Sequence, residues 1–266
     1  MCCQKQLKMT SSGVQSRHCR KPESSIKDYK SKEQNIRENI IMKLCIDIAD
    51  VTQIRHIYEF FPVDGVSTNP SILAKTGRNP YEVLKEIRSL IGEDGELFVQ
   101  VTARKAEIMI EESHRIVKEL GARTLVKVPC TPEGFKAMKM LHKEGLRFIG
   151  TAIYTTMQGW LAAKCGAEYV APYVNRIDNM GFNGIQVAKD IHDAITGSGY
   201  DSGLLAASFK NSQQVLELAK YGVKAVTVAP DIMEGLVKNA AIDAAITMFT
   251  EDFEELCGKG KTMADL

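Results

Sequence analysis

A single lysine lies inside an otherwise apolar run of this sequence. Residues 124–129 read TLVKVP, and Lys127 is flanked by Val126 and Val128. Lysine is depleted from strands and is rarely buried without a partner. If this amine is removed from water its pKa falls, and a neutral amine can attack a ketone or aldehyde to form a Schiff base. The alternative is an ordinary strand-end lysine, whose stem covers apolar surface while its amine stays in water.

Other apolar runs also end in side chains that can transfer protons or form hydrogen bonds. These further candidates are Asp47, Ser67, Thr68, Asn69, Gln100, Thr151, Tyr173 and Ser208. One polar residue at a strand end simply meets solvent, but polar ends on seven runs, that of Lys127 included, indicate a shared site. A lone serine or threonine at such a position can also form a turn or cap a helix, and we assign this kind of role to Ser71 and Thr131.

The elements that must position these residues alternate eight times. Short apolar runs precede amphipathic segments, and the runs occupy residues 43–47, 64–68, 97–101, 124–128, 147–151, 169–173, 203–208 and 224–228. Helical periodicity is clearest at 103–120 and 131–145. Eight strand-then-helix units with nearly continuous apolar strands predict a (β/α)8 TIM barrel, a fold that carries its chemistry at the C-terminal ends of the strands. A doubly wound sheet is the competitor, but no GxGxxG turn follows the first run.

A barrel would give the lysine a direction. Because alternate residues of a strand face opposite sides, Val126 and Val128 would pack under the helices while Lys127 projects into the barrel mouth. Pattern alone leaves the Schiff-base and solvated-lysine interpretations both open. An additional C-terminal helix is predicted at 240–258, and its apolar positions suggest packing on a neighbour such as another subunit. Residues 42–258 would then form the barrel domain and 259–266 a tail.

Composition excludes several classes of protein. The 266 residues carry a net charge of +1, and residues 1–41 hold nine Lys/Arg against four Asp/Glu, so the remainder is mildly acidic. Such a surface does not favour nucleic-acid binding. Seven scattered cysteines indicate free thiols in a reducing compartment, hence a cytoplasmic protein. The five dispersed histidines form no zinc spacing, and the uncharged stretch 148–163 is too short and polar for a membrane span.

Residues 1–41 differ from the rest of the chain. They are polar and basic, with almost no apolar periodicity, so we expect a disordered or artefactual leader with no function of its own. They have no apolar core of a secretory signal, and four acidic residues count against a transit peptide. The adjacent Cys2 and Cys3 could be acylated, although unstructured thiols are the simpler interpretation.

Five motifs, taken together and in order, are similar to those of a known enzyme family. The motifs are GVSTNPSI (65–72), LVKVPCTPEG (125–134), GTAIY (150–154), AEYVAPYVNRID (167–178) and LAASFK (205–210). They resemble the small transaldolase-like family of class I aldolases, and most of all its fructose-6-phosphate aldolase branch. The resemblance implies a (β/α)8 barrel, a lysine imine with a ketone donor, and no metal or organic cofactor. It also implies a homo-oligomer, commonly a decamer of two pentamers, in which the C-terminal helix reaches a neighbour.

The same resemblance implies a role for each candidate. Lys127 matches the Schiff-base lysine, and Asp47 matches the carboxylate that relays protons around it. Ser67 and Asn69 match donor-binding positions. The trio that holds the catalytic water is Gln100, Thr151 and Tyr173, with the Tyr173 phenol as the proton-transfer group. The acceptor phosphate is matched by Arg176 and Ser208, with Lys210 as a further positive charge or simply a solvated lysine.

Two positions distinguish the branches of the family. Transaldolases usually have glutamate at the position of Gln100 and phenylalanine at that of Tyr173, so this sequence favours an aldehyde-lyase that makes and cleaves fructose 6-phosphate. Ser67 stands where these aldolases have threonine, which affects donor preference rather than chemistry. The alternatives are a transaldolase of the pentose phosphate pathway, a deoxyribose-phosphate type of aldolase with a second lysine, and a non-catalytic sugar-phosphate-binding protein.

Overall fold

The eight predicted strands form a closed parallel barrel. The structure, a computed structural model, describes residues 42–266, so the expected leader lies outside the described residues. Strands β1–β8 pair in chain order, and β8 closes the barrel on β1. Their bounds are Lys43–Asp47, Gly65–Ser67, Glu96–Gln100, Thr124–Pro129, Phe148–Ile153, Tyr169–Pro172, Gly203–Ala206 and Ala225–Val228. The predicted TIM barrel is therefore confirmed.

Helices cover the outside of the barrel and follow the strands along the chain. Helices α1–α11 are Val51–Phe60, Pro70–Ala74, Pro80–Ile91, Ala106–Leu120, Pro132–Lys143, Thr156–Lys164, Val174–Asp178, Gly184–Gly197, Ser212–Tyr221, Pro230–Gly235 and Ala240–Cys257. The additional C-terminal helix predicted at 240–258 is α11, and it ends at Gly258, whose φ of 105° suits glycine. Residues 259–266 contain one 3-10 turn, Met263–Asp265.

Two helix starts differ from the sequence prediction. Helix α4 begins at Ala106 rather than 103, because the Glu112 carboxylate accepts hydrogen bonds from the Thr102 and Ala103 amides and holds that segment outside the helix. Ser71 was expected to cap a helix, but the cap of α2 is Asn69, with Pro70 in the first helical turn. Thr131 does cap α5, since its hydroxyl accepts from the Gly134 amide at 3.0 Å.

The strands separate two apolar cores. Between strands and helices lies the larger one, to which Val126 and Val128 of β4 belong. The barrel interior holds the smaller core, which consists of Cys45, Phe98, Leu125, Ile149, Tyr169, Ala171, Leu205 and Ala225. Leu125 and Lys127 alternate with the two valines, so the side chain of Lys127 faces inward as predicted.

Charged side chains at the N-terminal end of the barrel neutralise one another. Glu96, only 3% exposed, accepts from Lys43 at 2.7 Å and from Arg147 at 3.3 Å. Arg147 also binds both carboxylate oxygens of Glu168, at 2.6 and 2.8 Å. Charges that are paired in this way support the barrel floor and leave the C-terminal mouth as the place for chemistry.

Candidate active site

Lys127 lies at the inner end of the mouth, and its side chain is 5% exposed. Its backbone is fixed on both sides, because Lys127 pairs with Gln100 of β3 and with Ile149 of β5. The amine is therefore held inside the barrel by strand register rather than by a flexible loop.

The amine of Lys127 has two hydrogen-bond acceptors. Its Nζ donates to the Ser67 hydroxyl oxygen at 2.9 Å and to the Thr68 carbonyl oxygen at 3.0 Å. Burial lowers the pKa of Lys127 below the ordinary lysine value, and the nearby negative charge of Asp47 partly opposes that shift. A neutral amine has two N–H groups, which these acceptors can satisfy, and its lone pair then remains for nucleophilic attack.

Asp47 ends β1 and pairs in register with Ser67 on the neighbouring strand. Its Oδ1 atom is buried and has no hydrogen-bond partner among residues 42–266. A buried carboxylate oxygen of this kind normally has a partner, so Asp47 is prepared to bind a hydroxyl group or to exchange a proton. Its negative charge raises the pKa of Lys127, Tyr173 and Arg176 alike, so Asp47 lies close enough to act electrostatically on all three.

Thr151 and Tyr173 form a hydroxyl pair at the mouth. Their oxygens are 3.0 Å apart, and Thr151 is fully buried. The ladder between β5 and β6 shifts register after Gly150, and Ala152 adopts a φ of 56°, which a non-glycine residue rarely does. The register shift is a β-bulge, and it lies beside the contact between Thr151 and Tyr173. Bulges near active sites often change the direction of a side chain in this way. Burial raises the pKa of Tyr173, so its phenol stays protonated at neutral pH and can donate a proton.

The predicted phosphate-binding residues lie on the β6 and β7 side of the mouth. The Arg176 guanidinium, in α7, stacks 4.6 Å from the centre of the Tyr173 ring. The Asn175 amide donates to the Ser208 carbonyl at 2.7 Å, which brings Ser208 beside α7. Ser208 has a φ of 62°, a second strained position at the mouth. Lys210 is exposed beyond them, at the start of the loop before α9.

Asn69 and Gln100 complete the predicted set. The Asn69 Oδ1 accepts from the Ile72 amide at 3.0 Å, so this residue caps α2, and its amide NH2 is left to contact a ligand. Gln100 is half-buried beside Lys127 on the adjacent strand. A cleft of about 810 Å3 opens beside these strands and is lined by Asp47, while the nearly buried Lys127 does not line it.

The comparison with known proteins agrees with this geometry. Residues 44–265 match the family described as transaldolase/fructose-6-phosphate aldolase. The chain belongs to this family. It is therefore an enzyme of the Schiff-base aldolase/transaldolase class.

A solved structure shows the same fold. A mandelate oxidase mutant, whose structure carries a monooxide FMN adduct, matches with a TM-score of 0.50 and 12% sequence identity. The match covers 82% of this chain and 74% of the oxidase. At this identity the similarity concerns the barrel and not the chemistry.

One residue of this transaldolase/fructose-6-phosphate aldolase family member was missed as a site residue by sequence reasoning. Tyr154 packs edge-on against Tyr173, with ring centres 5.6 Å apart, and its hydroxyl is the main cause that raises the pKa of Arg176. It follows β5 in the GTAIY motif, and an aromatic residue just after a strand end was the available signal. Thr68 was among the polar residues expected at the end of β2, but it contacts Lys127 through its backbone carbonyl, and side-chain patterns carry no signal for such a contact.

Within residues 42–266, His, Cys, Asp and Glu side chains form no group of three or more that could hold a metal ion. In that same part of the chain, helices of sufficient length and hydrophobicity to cross a bilayer are absent.

Replacing Asp47 tests the electrostatics of the site. In Asp47→Asn the negative charge that raises the pKa of Lys127 is lost, so we expect this lysine to become reactive at a lower pH than in the parent protein. The midpoint can be measured from the pH dependence of reductive methylation at Lys127 by mass spectrometry. Asp231→Asn, which changes a charge on the same cleft, should leave the midpoint in place. A midpoint that stays or rises in Asp47→Asn contradicts the assignment.

Proposed function

We propose that this protein is a class I aldolase that forms an imine between Lys127 and dihydroxyacetone-type donors and reversibly makes fructose 6-phosphate from glyceraldehyde 3-phosphate. The observation that carries this proposal is the pair of hydroxyl groups on Thr151 and Tyr173, whose oxygens are 3.0 Å apart. The negative charge of Asp47 acts on both Tyr173 and Lys127. A protonated phenol at this point can donate the proton that direct aldol chemistry requires, and it can then regain one through the water held beside it.

The first stage is imine formation. The lone pair of Lys127 attacks the donor carbonyl carbon, and proton transfer from nitrogen to oxygen gives a carbinolamine. Asp47 relays a proton to the departing hydroxyl group, so that water leaves and an iminium ion forms. The unpartnered Oδ1 of Asp47 is available for this transfer. The iminium nitrogen then serves as the electron sink for the next stage.

The second stage forms the carbon–carbon bond. A proton leaves the donor carbon beside the iminium, taken up by the water that Gln100, Thr151 and Tyr173 would hold, and the C–H electrons form an enamine. The enamine carbon attacks the aldehyde carbon, and the C=O electrons become an alkoxide that Tyr173 protonates. Tyr173 regains a proton from the water that took up the donor C–H proton, so both groups return to their starting states. Water adds to the new iminium, and release of the Lys127 amine gives the sugar phosphate.

The acceptor phosphate would lie on the β6–β7 side of the mouth. The forked guanidinium of Arg176 suits a phosphate dianion, and its stacking on the Tyr173 ring orients it. The Ser208 hydroxyl would add a hydrogen bond, and the exposed Lys210 would add charge at longer range. Asn69, with Ser67, would bind the donor hydroxyls on the opposite side.

Transaldolase activity is the second candidate, because the family includes both reactions. It uses the same imine and differs only in transferring the donor fragment to another aldose phosphate. A deoxyribose-phosphate type of aldolase is less well supported, since the charge that acts on Lys127 comes from the Asp47 carboxylate rather than from a second lysine.

A paired assay separates the candidates. We expect fructose 6-phosphate to be cleaved to glyceraldehyde 3-phosphate whether or not erythrose 4-phosphate is present, because Tyr173 can protonate the enamine left on Lys127. Borohydride with dihydroxyacetone should in parallel leave a reduced adduct on Lys127, detectable by peptide mass spectrometry. Product formation that requires erythrose 4-phosphate would indicate a transaldolase, and an unmodified Lys127 would indicate a non-catalytic binding protein.

The Tyr173 phenol can be tested separately. Tyr173→Phe removes one general acid–base group, so we expect cleavage to fall by roughly 100-fold or more while borohydride trapping on Lys127 persists. Tyr58→Phe is the matched control, because the Tyr58 hydroxyl is also buried but has no hydrogen-bond partner among the described residues. Equal activity in the two variants would remove Tyr173 from the mechanism.

We also propose a homo-oligomer, a decamer of two pentamers by family resemblance, in which α11 contacts a neighbouring subunit. Ile242, Ile246 and Phe249 are spaced to share one face of this helix, and they are 48%, 56% and 62% exposed. Isolated exposed apolar residues are normal, but a stripe along a whole helix indicates an interaction surface. A cytoplasmic location, expected from the scattered thiols, is part of the same proposal.

Charge on this helix face should break the assembly. The double variant Ile246→Glu, Phe249→Glu places two carboxylates in the proposed interface, each in place of an apolar side chain whose burial contributes about 2 kcal/mol. Sedimentation velocity should then show a smaller particle than the parent protein. Glu251→Lys, on the other side of α11, should keep the parent mass. A parent protein that sediments as a monomer would contradict the proposal.

A further inference from the structure

Thr68 contacts the amine of Lys127 without presenting its side chain to it. It follows Ser67 at the end of β2, is fully buried, and accepts from Lys127 Nζ through its carbonyl oxygen at 3.0 Å. Of the two acceptors on this amine, the Ser67 hydroxyl can rotate, whereas the carbonyl direction is set by the backbone. The orientation of the amine therefore depends on how firmly the Thr68 backbone is held.

The side chain of Thr68 anchors that backbone to β3. Its amide N–H and its hydroxyl both donate to the same acceptor, the Phe98 carbonyl oxygen, each at 2.9 Å. Phe98 belongs to the fully buried barrel interior, where its ring packs edge-on against Tyr169 with centres 6.3 Å apart. One side of the peptide that carries the Thr68 carbonyl is therefore attached to a rigid part of the barrel.

The other side of this peptide is held by the helix that follows. Asn69, which contributes the peptide nitrogen, caps α2 through its side-chain oxygen on the Ile72 amide, and its carbonyl accepts from the Leu73 amide at 3.0 Å. The Thr68 carbonyl thus lies between an anchored strand end and a capped helix start, and it has little freedom to turn away from Lys127.

We propose that Thr68 is a positioning residue for Lys127, whose buried hydroxyl fixes the carbonyl that orients the amine. With both N–H groups of the neutral amine directed at Ser67 and Thr68, the nitrogen lone pair points away from β2 and towards the space where a carbonyl carbon would bind. This inference rests on the proposed imine chemistry of Lys127. It assigns to Thr68 a role in aiming the nucleophile rather than in binding substrate.

The test compares three single variants of the full chain. Thr68→Val keeps the shape of the side chain and removes the hydroxyl, whereas Thr68→Ser keeps the hydroxyl. The control is Thr124→Val. Thr124 lies on the same strand as Lys127, and its buried hydroxyl also donates to a backbone carbonyl, that of Leu120. The readout is the first-order rate at which dihydroxyacetone and cyanoborohydride modify Lys127, measured by mass spectrometry beside the melting temperature. Thr68→Ala replaces the valine variant if valine does not fold.

We expect Thr68→Val to slow modification of Lys127 by between about tenfold and 100-fold, as small misplacements of a reacting group do. Thr68→Ser should recover the rate to within about threefold of the parent, and Thr124→Val should keep it even where its melting temperature falls. The KM for glyceraldehyde 3-phosphate should stay unchanged in Thr68→Val, because the Arg176 side of the mouth is untouched.

Two results would overturn the role of Thr68 without affecting the proposed imine mechanism. One is a modification rate in Thr68→Val within about twofold of the parent rate. The other is equal slowing in Thr68→Val and Thr124→Val, which would indicate general loosening of the barrel. An unmodified Lys127 in the parent protein is a different result. It would remove the imine mechanism itself, and the role of Thr68 with it.

Discussion

The structure depends on keeping one amine away from water inside a closed barrel. Transferring a charged ammonium into an apolar interior is costly, so a buried lysine either finds a counter-charge or loses its proton. The surroundings of Lys127 favour the second outcome, because its direct partners are a hydroxyl and a backbone carbonyl rather than a carboxylate. Among the described residues, Asp47 makes no hydrogen bond to Lys127 but acts on it as a nearby negative charge. This charge limits the fall in the pKa of Lys127 and places a group that can relay protons close to the amine.

The two ends of the barrel illustrate different uses of polar groups. At the N-terminal end, Lys43 and Arg147 compensate the charge of Glu96 through its Oε1 atom, although its Oε2 atom is buried without a hydrogen-bond partner among the described residues. At the mouth, Asp47 Oδ1 is buried without a partner in the described part of the chain, although satisfying it would stabilise the fold. A parallel barrel permits this division because all strands end at the same face, where the interior is shielded by neighbouring side chains and yet open to a ligand.

Backbone strain is concentrated at the same mouth. Ala152 and Ser208 are the non-glycine residues with positive φ within residues 42–266. Ala152 follows the proposed catalytic residue Thr151, and Ser208 is itself a proposed phosphate-binding residue. Such conformations cost about 1–3 kcal/mol each and persist only where the surrounding structure over-determines them. The bulge at Ala152 accompanies the contact between Thr151 and Tyr173, and the barrel ladders on either side of it supply the compensating hydrogen bonds.

The sequence by itself determined three features of this protein: the order of the eight strands, the inward direction of Lys127 and the polar residues at the strand ends. The alternation of apolar residues in strands and their periodicity in helices are local patterns. They can be read from the sequence because backbone geometry fixes which side each of a few neighbouring side chains faces. Helix starts were less predictable: Pro70 moved the cap from Ser71 to Asn69, and the distant Glu112 delayed the start of α4.

Only the tertiary structure decided which hydrogen-bond acceptors contact the amine of Lys127. Ser67 and Lys127 are 60 residues apart, and the Thr68 contact runs through a backbone carbonyl that every residue possesses. Closure of the barrel brings these groups within 3 Å, and no local pattern contains that distance.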